Sequence, residues 1–98
     1  MLVRIVKMNF RDEEIATFEK LFITYKELIR QADGCQHLQL LKDAKDRSIF
    51  FTYSWWQDEY CLNKYRKSEL FGEVWSQTKV LFAEKPEAWS CESLHILR

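Results

Sequence analysis

The stretch from Ser48 to Trp75 restricts the possible fold more than any other part of this chain. It begins with a strand-like run that ends in two adjacent tryptophans, and it continues directly into helical sequence with many aromatic residues. Side chains of a strand alternate between two faces. We expect helices to cover the more apolar face and a second subunit to contact Trp56 on part of the mixed face. The more apolar face carries Ile49, Phe51, Tyr53 and Trp55, and the mixed face carries Ser48, Phe50, Thr52, Ser54 and Trp56.

The remaining elements follow from the spacing of apolar residues and from residues that end helices. Apolar residues recur every three or four positions after Asp12, which predicts a long helix, and Gly34 closes it because glycine accepts the left-handed conformation of a C-terminal cap. Ser68 is a typical N-cap for the last helix, and Pro86 ends that helical region. The predicted strands are residues 2–10, 35–42, 48–56 and 88–97, and the predicted helices are residues 12–33, residues 57–65 and a segment between Ser68 and Pro86.

This order of elements, β-α-β-β-α-β with the second helical region split in two, predicts an α+β, ferredoxin-like fold. Residues 1–98 would form one domain, in which both helical regions cover one face of a four-stranded antiparallel sheet. The other face of such a sheet stays open. Because 47% of the residues are hydrophobic and 15% are aromatic, we expect two subunits to bury these open faces against each other as a homodimer.

Charge and cysteine content argue against several other classes of protein. Lys plus Arg and Asp plus Glu both number 15, so no net charge attracts nucleic acid. The cysteines at positions 35, 61 and 91 form no CxxC pair, which indicates free thiols rather than a zinc site or a disulfide framework. The apolar runs are too short or too charged for a signal peptide or a membrane span. These features predict a cytoplasmic protein that contacts neither nucleic acid nor membrane.

Two segments together resemble a known family. The segment Tyr53-Ser54-Trp55 ends the third strand, the segment Ser68-Glu69-Leu70-Phe71 follows in the next helical region, and a last strand follows a proline. This pattern is similar to the antibiotic biosynthesis monooxygenase family over essentially the whole chain. The resemblance implies a dimeric α+β barrel with a cavity between sheet and helices. It also implies a monooxygenase that oxidises a small electron-rich aromatic or quinol-type substrate with molecular oxygen and without a cofactor.

The same resemblance implies a role for Trp55. In family members that oxidise polycyclic aromatic substrates, a Trp at the end of the third strand lies in the cavity, and Trp55 matches it. The implied role is substrate contact, and the alternative is a cavity wall or core position. The polar partners of that Trp, an Asn four residues before it and a Tyr six residues after it, correspond here to Phe51 and Cys61. Their absence supports an alternative function, a non-catalytic homodimer that binds a small molecule or has a structural role.

Heme-degrading relatives indicate further candidate contacts. These relatives use an Asn near the end of the first strand, and Asn9 has a similar position here. They also use an aromatic residue on the split helix, and Tyr65 lies near that position. Trp75 stands where their His ligand to iron would be, and an indole has no lone pair to offer iron, so we expect no heme. The predicted substrate-binding residues, with capping, turn or core roles as the alternatives, are Asn9, Tyr53, Tyr65 and Trp75.

His37 is the predicted base. It lies on the second strand, and an imidazole accepts a proton near neutral pH, so it could remove a phenolic proton from the substrate. The resulting anion would pass an electron to oxygen while the protein orients and desolvates it. Trp55 and His37 are therefore the predicted catalytic residues, and a hydrogen-bonded or surface histidine is the alternative for His37.

Overall fold

A computed structural model describes all 98 residues and confirms the ferredoxin-like α+β fold. The strands are β1 (Leu2–Asn9), β2 (Cys35–Lys42), β3 (Ile49–Trp56) and β4 (Glu87–Glu92), and the helices are α1 (Ile15–Arg30), α2 (Glu59–Arg66) and α3 (Glu69–Lys79), with a 3-10 turn over Asp12–Glu14. The strands form one antiparallel sheet in the order β2-β3-β1-β4. None of the helices has the length and apolar character needed to cross a membrane.

The two inner strands, β1 and β3, fix the position of the residues that face the helices. β1 pairs with β3 so that Arg4 lies opposite Ser54, and it pairs with β4 so that Arg4 lies opposite Ser90. On the edge strand β2, a bulge between Cys35 and His37 shifts the register by one residue. Because of this bulge, the side chain of His37 shares a face with that of Trp55 on β3.

The turns at the helix ends show the local signals of the sequence. Gly34 has a φ of 82°, and a side chain at this position would meet the Cβ and Sγ atoms of Cys61 at 2.5 Å, so only glycine fits. Helix α1 itself ends earlier than expected, at Arg30. The predicted N-cap is confirmed, since Ser68 Oγ accepts a hydrogen bond from the backbone N–H of Phe71 at 3.1 Å.

The hydrophobic core consists of two clusters between the sheet and the helices. The larger cluster is centred on Phe10, whose ring stacks on that of Phe18 of α1 at a centroid distance of 4.1 Å. The smaller cluster joins Cys35, Trp56 and Leu62 and fixes α2 against the ends of β2 and β3. A cavity opens beside both clusters and is lined by members of each.

The helices cover the face of the sheet opposite to the expected one. Trp56, which we expected at a subunit contact, is 1% exposed and packs in the core, whereas Trp55 lies on the face without helices, here called the open face. Both face assignments are therefore wrong. The mixed face can be buried because its polar groups bond to one another, as where Trp56 Nε1 donates to Ser54 Oγ at 3.0 Å.

Strand β4 is shorter than the sequence indicates. Its pairing with β1 ends where Glu92 meets Leu2, the first residue of β1, so the predicted continuation to residue 97 has no β1 partner. All six residues of β4 are exposed. Helix α2 begins at Glu59 rather than at residue 57 because Asp58 is its N-cap and accepts a hydrogen bond from the backbone N–H of Cys61 at 2.9 Å.

Candidate functional site

The candidate site is a cavity of about 290 Å³ between the helix-covered face of the sheet and the three helices. This volume is near the lower end of the range for small-molecule sites, roughly 300–1,000 Å³. Of the 19 lining residues, 13 are hydrophobic, so the walls favour an apolar ligand. Residues from all four strands contribute, including Val6, Met8, Leu38, Thr52, Trp56 and Ala88.

Trp56 is fixed at one end of the cavity. Its indole ring stacks on the phenol ring of Tyr65 with a centroid distance of 5.1 Å and an interplanar angle of 25°. Its N–H is held by Ser54, so neither the ring plane nor the polar end is free to turn. The cavity therefore has a rigid aromatic wall built from β3 and α2.

A series of aromatic rings continues this wall along α3. Tyr65 meets Phe71 edge-on at 5.3 Å, and Phe71 stacks on Trp75 at 5.9 Å. Behind this wall, Trp75 meets Phe82, which does not line the cavity, edge-on at 5.6 Å. Burial raises the pKa of Tyr65 to about 12, and the negative charge that Cys35 carries when ionised contributes to the rise. The Tyr65 hydroxyl is thus protonated at neutral pH and can donate a hydrogen bond, but it cannot act as a base.

Two arginines supply the charge at this cavity. Arg4 projects from the centre of the sheet, and its Nη1 donates to Ser90 Oγ at 3.0 Å. Burial lowers the pKa of Arg4, and the positive charge of Arg66 lowers it further, although a guanidinium stays protonated at any physiological pH. No Asp, Glu, His or Lys lines the cavity. The site can therefore hold an apolar molecule and bind a negative group, but it contains no side chain with the pKa of a general base.

The two predicted catalytic residues lie together on the open face. The His37 ring packs on that of Trp55 at 4.5 Å and meets that of Tyr53 at 5.9 Å. His37 Nε2 is 3.0 Å from Gln39 Oε1, and the buried Nε1 of Trp55 has no hydrogen-bond partner. Because the sheet separates this cluster from the cavity, neither residue can contact a ligand bound there. Catalysis by His37 and Trp55 would require a ligand on the open face.

The structure also separates the predicted substrate-binding residues. Tyr65 and Trp75 line the cavity, whereas Tyr53 is on the open face. Asn9 is absent from the cavity lining, and its Oδ1 accepts a hydrogen bond from Ser48 Oγ at 3.1 Å, which ties the end of β1 to the turn before β3. This contact favours the turn role for Asn9.

Sequence reasoning missed Trp56, Thr52 and Arg4. The first two share the two-residue period of the mixed face, so a match shifted by one position would have found them. If the family Trp is matched to Trp56 instead of Trp55, its two polar partners, four residues before and six residues after it, correspond to Thr52 and Leu62. Both of these residues line the cavity. Neither these positions nor Phe51 and Cys61 carry an Asn and a Tyr.

The fold and the site define a ferredoxin-like protein with a small aromatic cavity between sheet and helices. A family model described as antibiotic biosynthesis monooxygenase matches residues 1–75, so the chain belongs to that family. No curated protein sequence matches the chain.

Solved structures with this fold align over nearly the full chain. One, described as an antibiotic biosynthesis monooxygenase, is 21% identical, covers 97% of this chain and 100% of its own, and has a TM-score of 0.90. A conserved protein from Methanosarcina mazei Go1 is 19% identical, with coverages of 96% and 94% and a TM-score of 0.89. A Mycobacterium tuberculosis protein is 16% identical, with coverages of 99% and 98% and a TM-score of 0.89. At these identities the likeness shows a shared fold.

Proposed function

We propose that this protein is a cofactor-independent monooxygenase that oxidises a small electron-rich aromatic or quinol-type substrate with molecular oxygen. Membership of the monooxygenase family supports the reaction class. The observation that carries the proposal for this chain is the cavity of about 290 Å³, whose walls are mostly apolar and include Trp56, Tyr65 and Trp75. A cavity of this size accommodates a flat ligand of about one to three fused rings.

The reaction balances without an external reductant. A phenol such as 1-naphthol loses its proton, the anion transfers an electron to O₂, and the two radicals combine to form a C–O bond at the para carbon. The resulting hydroperoxide loses water to give the quinone, so one oxygen atom enters the product and the other leaves as water with two substrate hydrogens. The protein would contribute desolvation and a fixed ring orientation, supplied by Trp56 and Trp75. Because the cavity lacks a base, the proton would leave through water.

The test is oxygen consumption with 1-naphthol and anthrone in the presence of a metal chelator. We expect consumption of substrate and, under ¹⁸O₂, one labelled oxygen atom in the quinone. Trp75→Leu removes an aromatic cavity wall and should lower the rate by about tenfold or more, since misplaced substrate loses the benefit of orientation. The matched control is Trp89→Leu on β4, which lies outside the cavity and should keep the parent rate. Equal rates in the two variants would contradict catalysis in the cavity.

The alternative function is a non-catalytic homodimer that binds a small molecule or has a structural role. The absence of a titratable base from the cavity favours it, as does the lack of an Asn and a Tyr at Phe51 and Cys61 and at the shifted positions Thr52 and Leu62. In the binding role an aromatic ligand binds, and in the structural role none does. In both roles oxygen uptake with the protein equals the uncatalysed background for every substrate tested.

We also propose that two copies of the chain associate through their open faces. The cluster of His37, Tyr53 and Trp55 lies on this face, and Trp89 of β4 is 47% exposed. A second copy would cover these aromatic groups. Native mass spectrometry should give twice the chain mass. Trp89→Glu should shift the mass to one chain, whereas the control Ile23→Glu, on an exposed position of α1, should leave two. A monomeric parent protein would contradict the proposal.

A further inference from the structure

We propose that the cavity binds its ligand as an organic oxyanion, with the guanidinium groups of Arg4 and Arg66 pairing with a carboxylate or phenolate oxygen. This inference rests on the proposed use of the cavity as the substrate site, and it adds the charge of the ligand, which neither the family nor the fold specifies.

Arg4 is held at the cavity with most of its hydrogen-bonding capacity unused. It lies on an inner strand between Ser54 and Ser90, and its side chain makes one hydrogen bond, from Nη1 to Ser90 Oγ. A guanidinium has five N–H donors in a planar fork that matches the two oxygens of a carboxylate. The ion pairs in the structure join other residues, Arg11 to Glu13 and Lys64 to Asp33, so Arg4 has no acidic partner. A partly buried cation without a counter-ion is costly, and a bound anion would remove that cost.

Arg66 brings a second positive charge to the same cavity. It lies in the last turn of α2, is exposed, and also lacks an acidic partner. Both guanidinium groups line the same cavity, where their like charges repel, and the charge of Arg66 adds to the lowering of the pKa of Arg4. An anion between them would replace this repulsion with two attractive interactions.

The rest of the lining determines the ligand class. No acidic side chain lines the cavity to bind a cation, and the hydrophobic walls disfavour a highly charged group such as a phosphate ester. A monoanion on a flat apolar body satisfies both the charge and the walls. For a phenolic substrate, the same two charges would favour the ionised form, which is the form that reacts with oxygen.

The test is isothermal titration calorimetry under nitrogen at neutral pH with 1-naphthoate and 1-naphthamide, which have the same shape but differ in charge. We expect the naphthoate to bind about tenfold or more tightly than the amide, as for charge-assisted hydrogen bonds. Arg66→Gln changes an exposed residue and should fold normally, and both it and Arg4→Gln should remove most of this preference. Arg47→Gln, an exposed position outside the cavity, makes the same charge change and should keep the preference.

The absorption spectrum of bound 1-naphthol distinguishes the two oxyanions. If bound 1-naphthol shows the spectrum of naphtholate at neutral pH, the site binds a phenolate. If 1-naphthoate is preferred over 1-naphthamide but bound 1-naphthol stays neutral, the site binds a carboxylate. Equal binding of naphthoate and naphthamide together with neutral bound naphthol would overturn the oxyanion site and leave the proposed oxidation standing. Failure of all three compounds to bind would overturn both. Anion binding without oxygen uptake would support the oxyanion site and contradict the oxidation.

Discussion

Replacing each of the adjacent tryptophans with phenylalanine should have clearly different effects on stability. Trp56→Phe removes the donor of the buried hydrogen bond to Ser54, a loss of about 1 kcal/mol. Because Trp56 is 1% exposed, the smaller ring also leaves a cavity of roughly 40 Å³ in the core. At about 24 cal/mol per Å³, this cavity costs about 1 kcal/mol. We therefore expect the free energy of unfolding to fall by about 2 kcal/mol.

Trp55→Phe is the matched control, because it makes the same chemical change on the open face. The Nε1 atom of Trp55 has no hydrogen-bond partner, so its removal breaks no bond, and the free energy of unfolding should change by less than about 1 kcal/mol.

The assay is urea unfolding followed by far-ultraviolet circular dichroism, which does not depend on the altered tryptophan fluorescence. All proteins are compared at one concentration, since association makes apparent stability concentration-dependent. Unchanged slopes with urea would show that the comparison concerns stability alone. Equal losses in the two variants, or a larger loss for Trp55→Phe, would refute the assignment of Trp56 to the core.

Three further predictions concern the glycines and two titrating groups. Gly34→Ala should lower the free energy of unfolding by about 1–3 kcal/mol or more, because it combines a positive φ with a clash against Cys61. Gly72→Ala lies inside helix α3, where an added methyl group meets no other atom, and should raise the free energy of unfolding by about 0.5–1 kcal/mol in the same urea titration. Hydrogen bonds from the Cys61 backbone and side chain lower the pKa of Asp58, so the Asp58 carboxylate stabilises the folded state above its unfolded pKa, and this stabilisation is lost as the pH falls. Below about pH 4, the thermal midpoint of Asp58→Asn should therefore depend less on pH than that of the parent protein. Identical acid profiles of the two proteins would contradict this. Burial raises the pKa of Tyr65 to about 12, so the folded state keeps a proton that the unfolded state releases near pH 10. Between about pH 10 and 12 the free energy of unfolding of the parent protein should therefore fall, and that of Tyr65→Phe should fall less steeply. A parallel decline in the two proteins would contradict the burial of the phenol.

Local signals predicted local features of this fold well. The bounds of β2, the N-cap at Ser68 and the positive φ at Gly34 depend on a few adjacent residues, and each is as the sequence indicates. The end of β4 depends instead on where β1 begins, which only the pairing of the two strands defines. That is why the predicted strand is too long.

One wrong prediction, about which face of β3 the helices cover, caused several errors at the candidate site. Both faces of β3 are rich in aromatic residues, so hydrophobicity alone did not show which face the helices cover. Assigning Trp55 to the cavity also placed Tyr53 on the wrong side, and His37 was placed with them. Tyr65 and Trp75, which the resemblance to heme-degrading relatives indicated, do line the cavity, because their helices pack on the covered face of the sheet whichever face of β3 that is. Arg4 was not among the predicted site residues, because nothing local in the sequence indicates that its charge faces a cavity.

The use of the cavity as the functional site is tested most directly by locating a bound aromatic through the indole N–H signals of the four tryptophans in a ¹H–¹⁵N correlation spectrum. The Trp55→Phe and Trp56→Phe variants, together with Trp75→Phe and Trp89→Phe, assign each signal by its loss. On titration with 1-naphthol under nitrogen, we expect the signals of Trp56 and Trp75 to shift, while those of Trp55 and Trp89 stay in place. Shifts confined to Trp55 and Trp89 would place the ligand on the open face and contradict the assignment of the cavity as the functional site.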